Sequence, residues 1–163
     1  MKLAFLGLGV MGFPMAGHLA ARGHDVVVYN RTAQKAAQWT ARHKGRAAED
    51  PATAAAGAEM VFSCLGDDPD VEAVMTAAAP AIGRGAVIVD HTTASPRLAR
   101  LLAERFAAAG AGFVDAPVSG GQAGAEGGKL SIMCGGEAAD VERARPVMEA
   151  YAARIVHIGP SGH

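Results

Sequence analysis

Lys2-Leu3-Ala4-Phe5-Leu6-Gly7-Leu8-Gly9-Val10-Met11-Gly12 is the stretch whose reading decides the fold. Its first five residues form a short apolar run ending in glycine, the pattern of a parallel strand covered on both faces. From Val10 to Arg22 the pattern turns helical, Gly23 stops it, and Asp25 to Tyr29 is a second buried strand. Strand, helix and strand within about 30 residues is the length a βαβ unit needs. Gly7, Gly9 and Gly12 fall at G-x-G-x-x-G spacing on the turn between the first strand and the helix. Gly7 permits the tight turn, Gly9 lets the backbone approach a pyrophosphate, and Gly12 lets the helix pack on the strand. The helix N-terminus adds unpaired N–H groups and a positive dipole end. The run Gly7, Leu8, Gly9, Val10, Met11 and Gly12 therefore reads as a dinucleotide cradle.

The end of the second strand tells which dinucleotide. In an NAD-specific domain it carries Asp or Glu, whose carboxylate takes the ribose hydroxyls and repels a 2′-phosphate. Here the positions are Asn30, Arg31 and Thr32. The repelling carboxylate is absent and a guanidinium is available to a phosphate. NADP is the expected cofactor, with NAD as the second choice.

Farther along, strands and helices keep alternating. Helices are expected over 32–42, 51–56, 68–78, 95–109 and 138–151, with Asp67 or Asp68 and Ser95 as caps. Strands are expected over 59–64, 85–90, 112–115, 130–134 and 154–158. Gly120 to Gly128 holds five glycines in nine residues and reads as an irregular loop. The expected fold class is α/β, a doubly wound, mostly parallel Rossmann-type sheet with helices on both faces and one domain over 1–163.

Two more loops should leave the carboxyl ends of strands, where ligands of such sheets sit. They are Leu65-Gly66-Asp67 and Asp90-His91-Thr92-Thr93. Thr93 is the site candidate of the second, and His91 reads as a partly exposed loop side chain. Asp115-Ala116-Pro117-Val118-Ser119-Gly120-Gly121 adds a hydroxyl and flexible backbone amides able to cradle a small anion.

Composition narrows the partner. The 163 residues carry a formal charge of -1, with Lys and Arg scattered, so no footprint for nucleic acid or anionic membrane stands out and a small molecule is expected. Cys64 and Cys134, far apart in apolar stretches, read as reduced, buried thiols with no disulfide and no metal site. The apolar start resembles a secretion signal, but three glycines and Pro14 interrupt it where a phosphate-binding turn and its helix require them. No stretch is apolar and long enough to span a bilayer. The expected location is cytoplasmic.

Taken together, the motifs resemble the β-hydroxyacid dehydrogenases, the family of 3-hydroxyisobutyrate dehydrogenase, tartronate semialdehyde reductase and glyoxylate/succinic semialdehyde reductase. The resemblance runs the whole chain. It rests on Phe5 to Gly12 with Pro14-Met15, Asp90 to Thr93, Asp115 to Gly121, and Gly128-Lys129-Leu130 leading into Met133-Cys134-Gly135-Gly136. It implies that Thr93 contacts the nicotinamide cofactor, that Leu65 and Gly66 flank it, and that Ser119, Gly120 and Gly121 hold a substrate carboxylate. Gly66 stands where the family usually has proline, and His91-Thr92 replaces the commoner serines.

The family's catalytic lysine lies just past a turn resembling Gly159-Pro160-Ser161-Gly162-His163, and none of Lys2, Lys35, Lys44 and Lys129 takes that role. No catalytic residue is therefore expected in this chain, nor the helical domain that follows in the family and makes its oligomer contacts. The parent is expected to be a homo-oligomeric NAD(P)-dependent dehydrogenase or reductase acting on CH–OH, and this chain alone to bind cofactor and hardly turn over. Alternatives with the same fold are a 6-phosphogluconate dehydrogenase-like or imine reductase-like NADP enzyme. From another class comes a dinucleotide-binding or assembly module without chemistry.

Overall fold

The computed structural model describes residues 1–162. Strand β1 (Lys2–Leu6) leads through the glycine turn into helix α1 (Gly12–Ala21), and β2 (Asp25–Tyr29) returns parallel to β1 with Leu6 opposite Tyr29. Next come α2 (Ala33–Arg42), β3 (Arg46–Ala47), α3 (Pro51–Ala55), β4 (Met60–Ser63), α4 (Asp68–Ala78), β5 (Val87–Asp90), α5 (Pro96–Ala108) and β6 (Gly112–Asp115). The chain continues through β7 (Val118–Ser119), α6 (Gly121–Gly127), β8 (Leu130–Gly135), α7 (Ala138–Met148) and β9 (Ala152–Gly159).

The strands form one sheet in the order β3-β2-β1-β4-β5-β6-β8-β7, with β9 also on β8. The first six are mutually parallel, and 3-2-1-4-5-6 is the order of a doubly wound dinucleotide-binding sheet. Both faces are covered, as the unbroken apolar strands require. One core packs Leu3, Phe5, Val28, Phe62 and Val89 against Met15 and Leu19 of α1, Trp39 of α2 and Val141 of α7. The other packs Leu6, Val61 and Ile88 against Ala54 of α3, Val71 and Met75 of α4, and Leu98, Leu102 and Phe106 of α5.

Three helices begin at a side-chain cap, those at Asp67 and Ser95 expected from the sequence and that at Asp50 not. Asp50, Asp67 and Ser95 accept hydrogen bonds from the N–H groups of Thr53, Asp70 and Leu98. The two-residue strands β3 and β7 were not expected, being too short to show a period.

The run 120–128 corrects the expectation of an irregular loop, because 121–127 is helix α6. Gly120 and Gly121 enter it at φ +133° and +62°, and Gly128 leaves it at +68°. Glycine costs a helix about 1 kcal/mol relative to alanine, so the stabilisation comes from outside. His18 on α1 donates its Nε2–H to the carbonyls of Ala125 and Glu126, each 2.9 Å away, and Ala125 is fully buried.

The antiparallel part of the sheet is joined to the parallel part through one register pair, Asp115 with Gly135, the last residues of β6 and β8. Strand β8 therefore stands beyond the carboxyl edge of the parallel strands, and β7 follows it with Val118 opposite Ile132. The result is a wall above the edge where ligands of such sheets bind. Its last stretch returns to that edge, where Gly162 N–H donates to Asp115 Oδ1 at 3.1 Å. His163, the final residue of the turn expected over 159–163, lies outside the described residues.

Among the described residues no helix is long and apolar enough to cross a membrane. Nor does any group of three or more His, Cys, Asp or Glu side chains gather that could hold a metal ion.

Candidate functional site

A cleft of about 570 Å³ opens at the carboxyl ends of β1, β2 and β4. Its floor is the glycine turn. Gly7, at φ +103°, donates its N–H to Tyr29 O at 2.8 Å, and a Cβ there would run into the carbonyl of Cys64. Gly12 is as tightly enclosed, its missing Cβ directed at the carbonyl of Gly7. Gly9 differs: it is exposed, its φ is not positive, and a Cβ on it would meet nothing within 4 Å. Gly7 and Gly12 therefore shape the turn, and Gly9 leaves open space above it.

Helix α1 starts at this turn without a side-chain cap and without an acidic residue in its first turn. Its leading N–H groups and positive dipole end face the cleft, which is how a helix receives a phosphate. The residues present thus fit a dinucleotide pyrophosphate.

Leu8 does not line the cleft; it is fully buried in the core and anchors the turn from below. Its N–H is taken by Asn30 Oδ1 at 2.8 Å, and Asn30 Nδ2 donates to Thr32 O at 3.1 Å. The Asn30 amide therefore ties the first glycine loop to the end of β2, a role sequence reading missed. Arg31 and Thr32 line the mouth of the cleft, and the Arg31 side chain is 87% exposed. Val10, Met11, Leu65 and Gly66 line it too, as do Tyr29, Cys64 and Asp70, which sequence reading did not place there.

Thr92, buried, accepts the Leu65 N–H on its Oγ1 at 2.8 Å and so fixes the loop that carries Leu65 and Gly66. Thr93 is exposed and lines a separate, smaller hollow with Asp90, Thr92, Asp115 and Pro117. Ser119, Gly120 and Gly121 sit exposed at the junction of β7 and α6, outside the cleft. None of the four lysines lines the cleft.

His91 overturns its sequence reading. It is 1% exposed, donating its Nδ1–H to Ala116 O and accepting the Tyr151 hydroxyl proton on Nε2, both at 2.7 Å. Burial pushes its pKa down to about 4, against the bond to Ala116, so it is a neutral core imidazole and not a base. Beside it, burial lifts Asp90 to about 6 although Thr92 and Ser63 hydrogen-bond its carboxylate. Cys64 and Cys134 are free, as expected, and burial raises the thiols to about 12 and about 11. Neither is a ready nucleophile.

A doubly wound parallel sheet with an uncapped helix behind a glycine turn defines a dinucleotide-binding domain. The family model described as the NAD binding domain of 6-phosphogluconate dehydrogenase matches residues 2–159. The chain belongs to that family, and nearly all of it corresponds to the family's NAD binding domain. It is 49% identical, over 99% of its length and 56% of the relative's, to an uncharacterized oxidoreductase of Shewanella frigidimarina. It is 39% identical, over 98% of its length and 54% of the relative's, to 3-hydroxyisobutyrate dehydrogenase of Pseudomonas aeruginosa. Among solved structures it superposes with a TM-score of 0.95 and 34% identity on Mycobacterium tuberculosis 3-hydroxyisobutyrate dehydrogenase with L-serine, covering 99% of this chain and 55% of that one. The chain spans about half the length of the curated relatives it matches.

Proposed function

We propose that this chain binds NADP(H) in the cleft, with the pyrophosphate over Gly9 to Gly12 and the 2′-phosphate on Arg31. The protein to which it belongs then moves hydride between the nicotinamide and a small β-hydroxyacid or semialdehyde. The observation that carries the cofactor choice is the end of β2, where the Asn30 amide is turned onto Leu8 and Thr32 and the Arg31 guanidinium, 87% exposed, stands at the cleft mouth. A guanidinium there can meet phosphate oxygens two at a time.

The nicotinamide supplies the hydride chemistry when bound. In this reading the residues of the chain orient it: the turn and α1 hold the diphosphate, Leu65 and Gly66 bound the cleft, and Thr93 serves the far end. The hydroxyl of Ser119 and the amides of Gly120 and Gly121 receive the substrate carboxylate. With no lysine at the cleft, the chain alone is expected to show negligible turnover, since losing a general acid or base costs about 10²–10⁴-fold.

Titration with NADPH and NADH, followed by nicotinamide fluorescence, tests the cofactor choice. Arg31→Ala is expected to weaken NADPH roughly tenfold to a hundredfold, the worth of a charge-assisted phosphate contact, and NADH by less than about threefold. Equal weakening of both cofactors would remove the basis for an NADP preference.

A further inference from the structure

Arg31 has company at the mouth of the cleft. Asp70 Oδ1, on the first turn of α4, lies 3.8 Å from Arg31 Nη1, and both residues line the cleft. The Asp70 carboxylate makes no hydrogen bond among the described residues, and Arg31 is its only ionic partner there. Its backbone N–H is fixed by the Asp67 cap, which holds this part of the helix in place.

Gly66 is what lets the carboxylate stand there. A Cβ on residue 66 would come within 2.6 Å of Asp70 Oδ2, whereas the backbone at 66 is not in the positive-φ region that demands glycine. The absent side chain makes room for an anion, not for a turn.

We propose that Asp70 is a specificity-determining residue: it holds the Arg31 guanidinium and competes with the cofactor's 2′-phosphate for it, narrowing the margin between NADP and NAD, with Gly66 providing the space. This rests on reading Arg31 as the phosphate site. A phosphomonoester carries about −1.5 to −2 charges near neutrality, so it displaces a single carboxylate from Arg31 but still meets repulsion from it. Because the Arg31 side chain is 87% and the Asp70 side chain 39% exposed, water and salt screen the effect, and several-fold is its natural size. NADH lacks the phosphate and should be indifferent.

Asp70→Asn and Gly66→Ala approach the same contact from two sides, one removing the charge and the other displacing it. Asp70→Asn is expected to bind NADPH about three- to tenfold tighter than the parent chain at low salt, with NADH changed less than about twofold and the gain shrinking at high salt, and Gly66→Ala, which adds a methyl to the cleft wall, to raise the NADPH-to-NADH affinity ratio by a similar factor. Arg31→Ala is measured alongside. If Arg31→Ala selectively weakens NADPH while Asp70→Asn leaves it unchanged or weaker, this inference is overturned and the phosphate site stands. If Arg31→Ala shows no selectivity, the phosphate site and the competition fall together. Melting curves of each variant confirm that the affinities compare folded proteins.

Discussion

Gly9→Ala should leave the melting temperature within about 2 °C of the parent while cutting NADPH affinity by tenfold or more. A substitution that meets no neighbour usually changes stability by less than about 0.5 kcal/mol, and about 2–4 °C accompanies each kcal/mol in a chain of this size. A Cβ on Gly9 meets nothing within 4 Å in the protein itself, so only a ligand pressed onto the turn would feel it. Gly7→Ala is the contrasting variant. It would place an L side chain at φ +103° and drive its Cβ against the Cys64 carbonyl and Leu65, so stability and binding should both fall. Thermal melts paired with NADPH titrations separate the two outcomes. Unchanged affinity in Gly9→Ala would mean that the pyrophosphate does not lie on this turn.

The second large effect lies in the dependence of stability on pH. Asp90 has an ordinary value of 3.8 and sits at about 6 in the fold. Between those values the folded state keeps a proton that the unfolded chain has lost, so stability drains away as pH rises through the window. His91 behaves oppositely, with an ordinary value of 6.5 and about 4 in the fold. Between them the unfolded chain binds a proton that the buried ring refuses, so stability grows as pH rises. Each window is worth about 3 kcal/mol, and from pH 4 to 6 the two slopes nearly cancel. Asp90→Asn removes one slope and exposes the other. Urea unfolding at pH 4, 5 and 6 should show the variant gaining about 3 kcal/mol on the parent across that range, whatever its offset at the start. A gap that stays constant with pH would mean that Asp90 keeps its ordinary ionisation in the fold.

The parts that sequence alone could deliver are those governed by short range. The glycine turn, the strands Lys2–Leu6 and Asp25–Tyr29, and the caps at Asp67 and Ser95 depend on residues within a few positions of one another, and all stand where expected. The cleft itself was half legible: Gly7, Gly9 to Gly12, Arg31 and Gly66 came from motif and resemblance, but Leu8 is core and Tyr29 and Asp70 reach the cleft only through pairing and helix direction. His91 was misread because its partner Tyr151 lies 60 residues away and no periodicity joins them. Helix α6 was misread because a glycine-rich run predicts an irregular loop unless something distant holds the backbone. Here the His18 imidazole on α1 and the burial of Ala125 do so. Thr92 shows the same limit, since nothing in the sequence joins its hydroxyl to the Leu65 N–H it accepts from 27 residues earlier.

The wall built by β7 and β8 behaves as a cantilever. One register pair fastens it to the first six strands, and His18 holds the adjoining helix α6 through the carbonyls of Ala125 and Glu126. That strut springs from the very helix whose first turn faces the cleft. Cofactor bound at the start of α1 is therefore expected to reach, through His18, backbone 107 residues farther along the chain. Amide exchange at 119–128 would slow on addition of cofactor alone, and a His18→Ala chain would lose that slowing while still binding it.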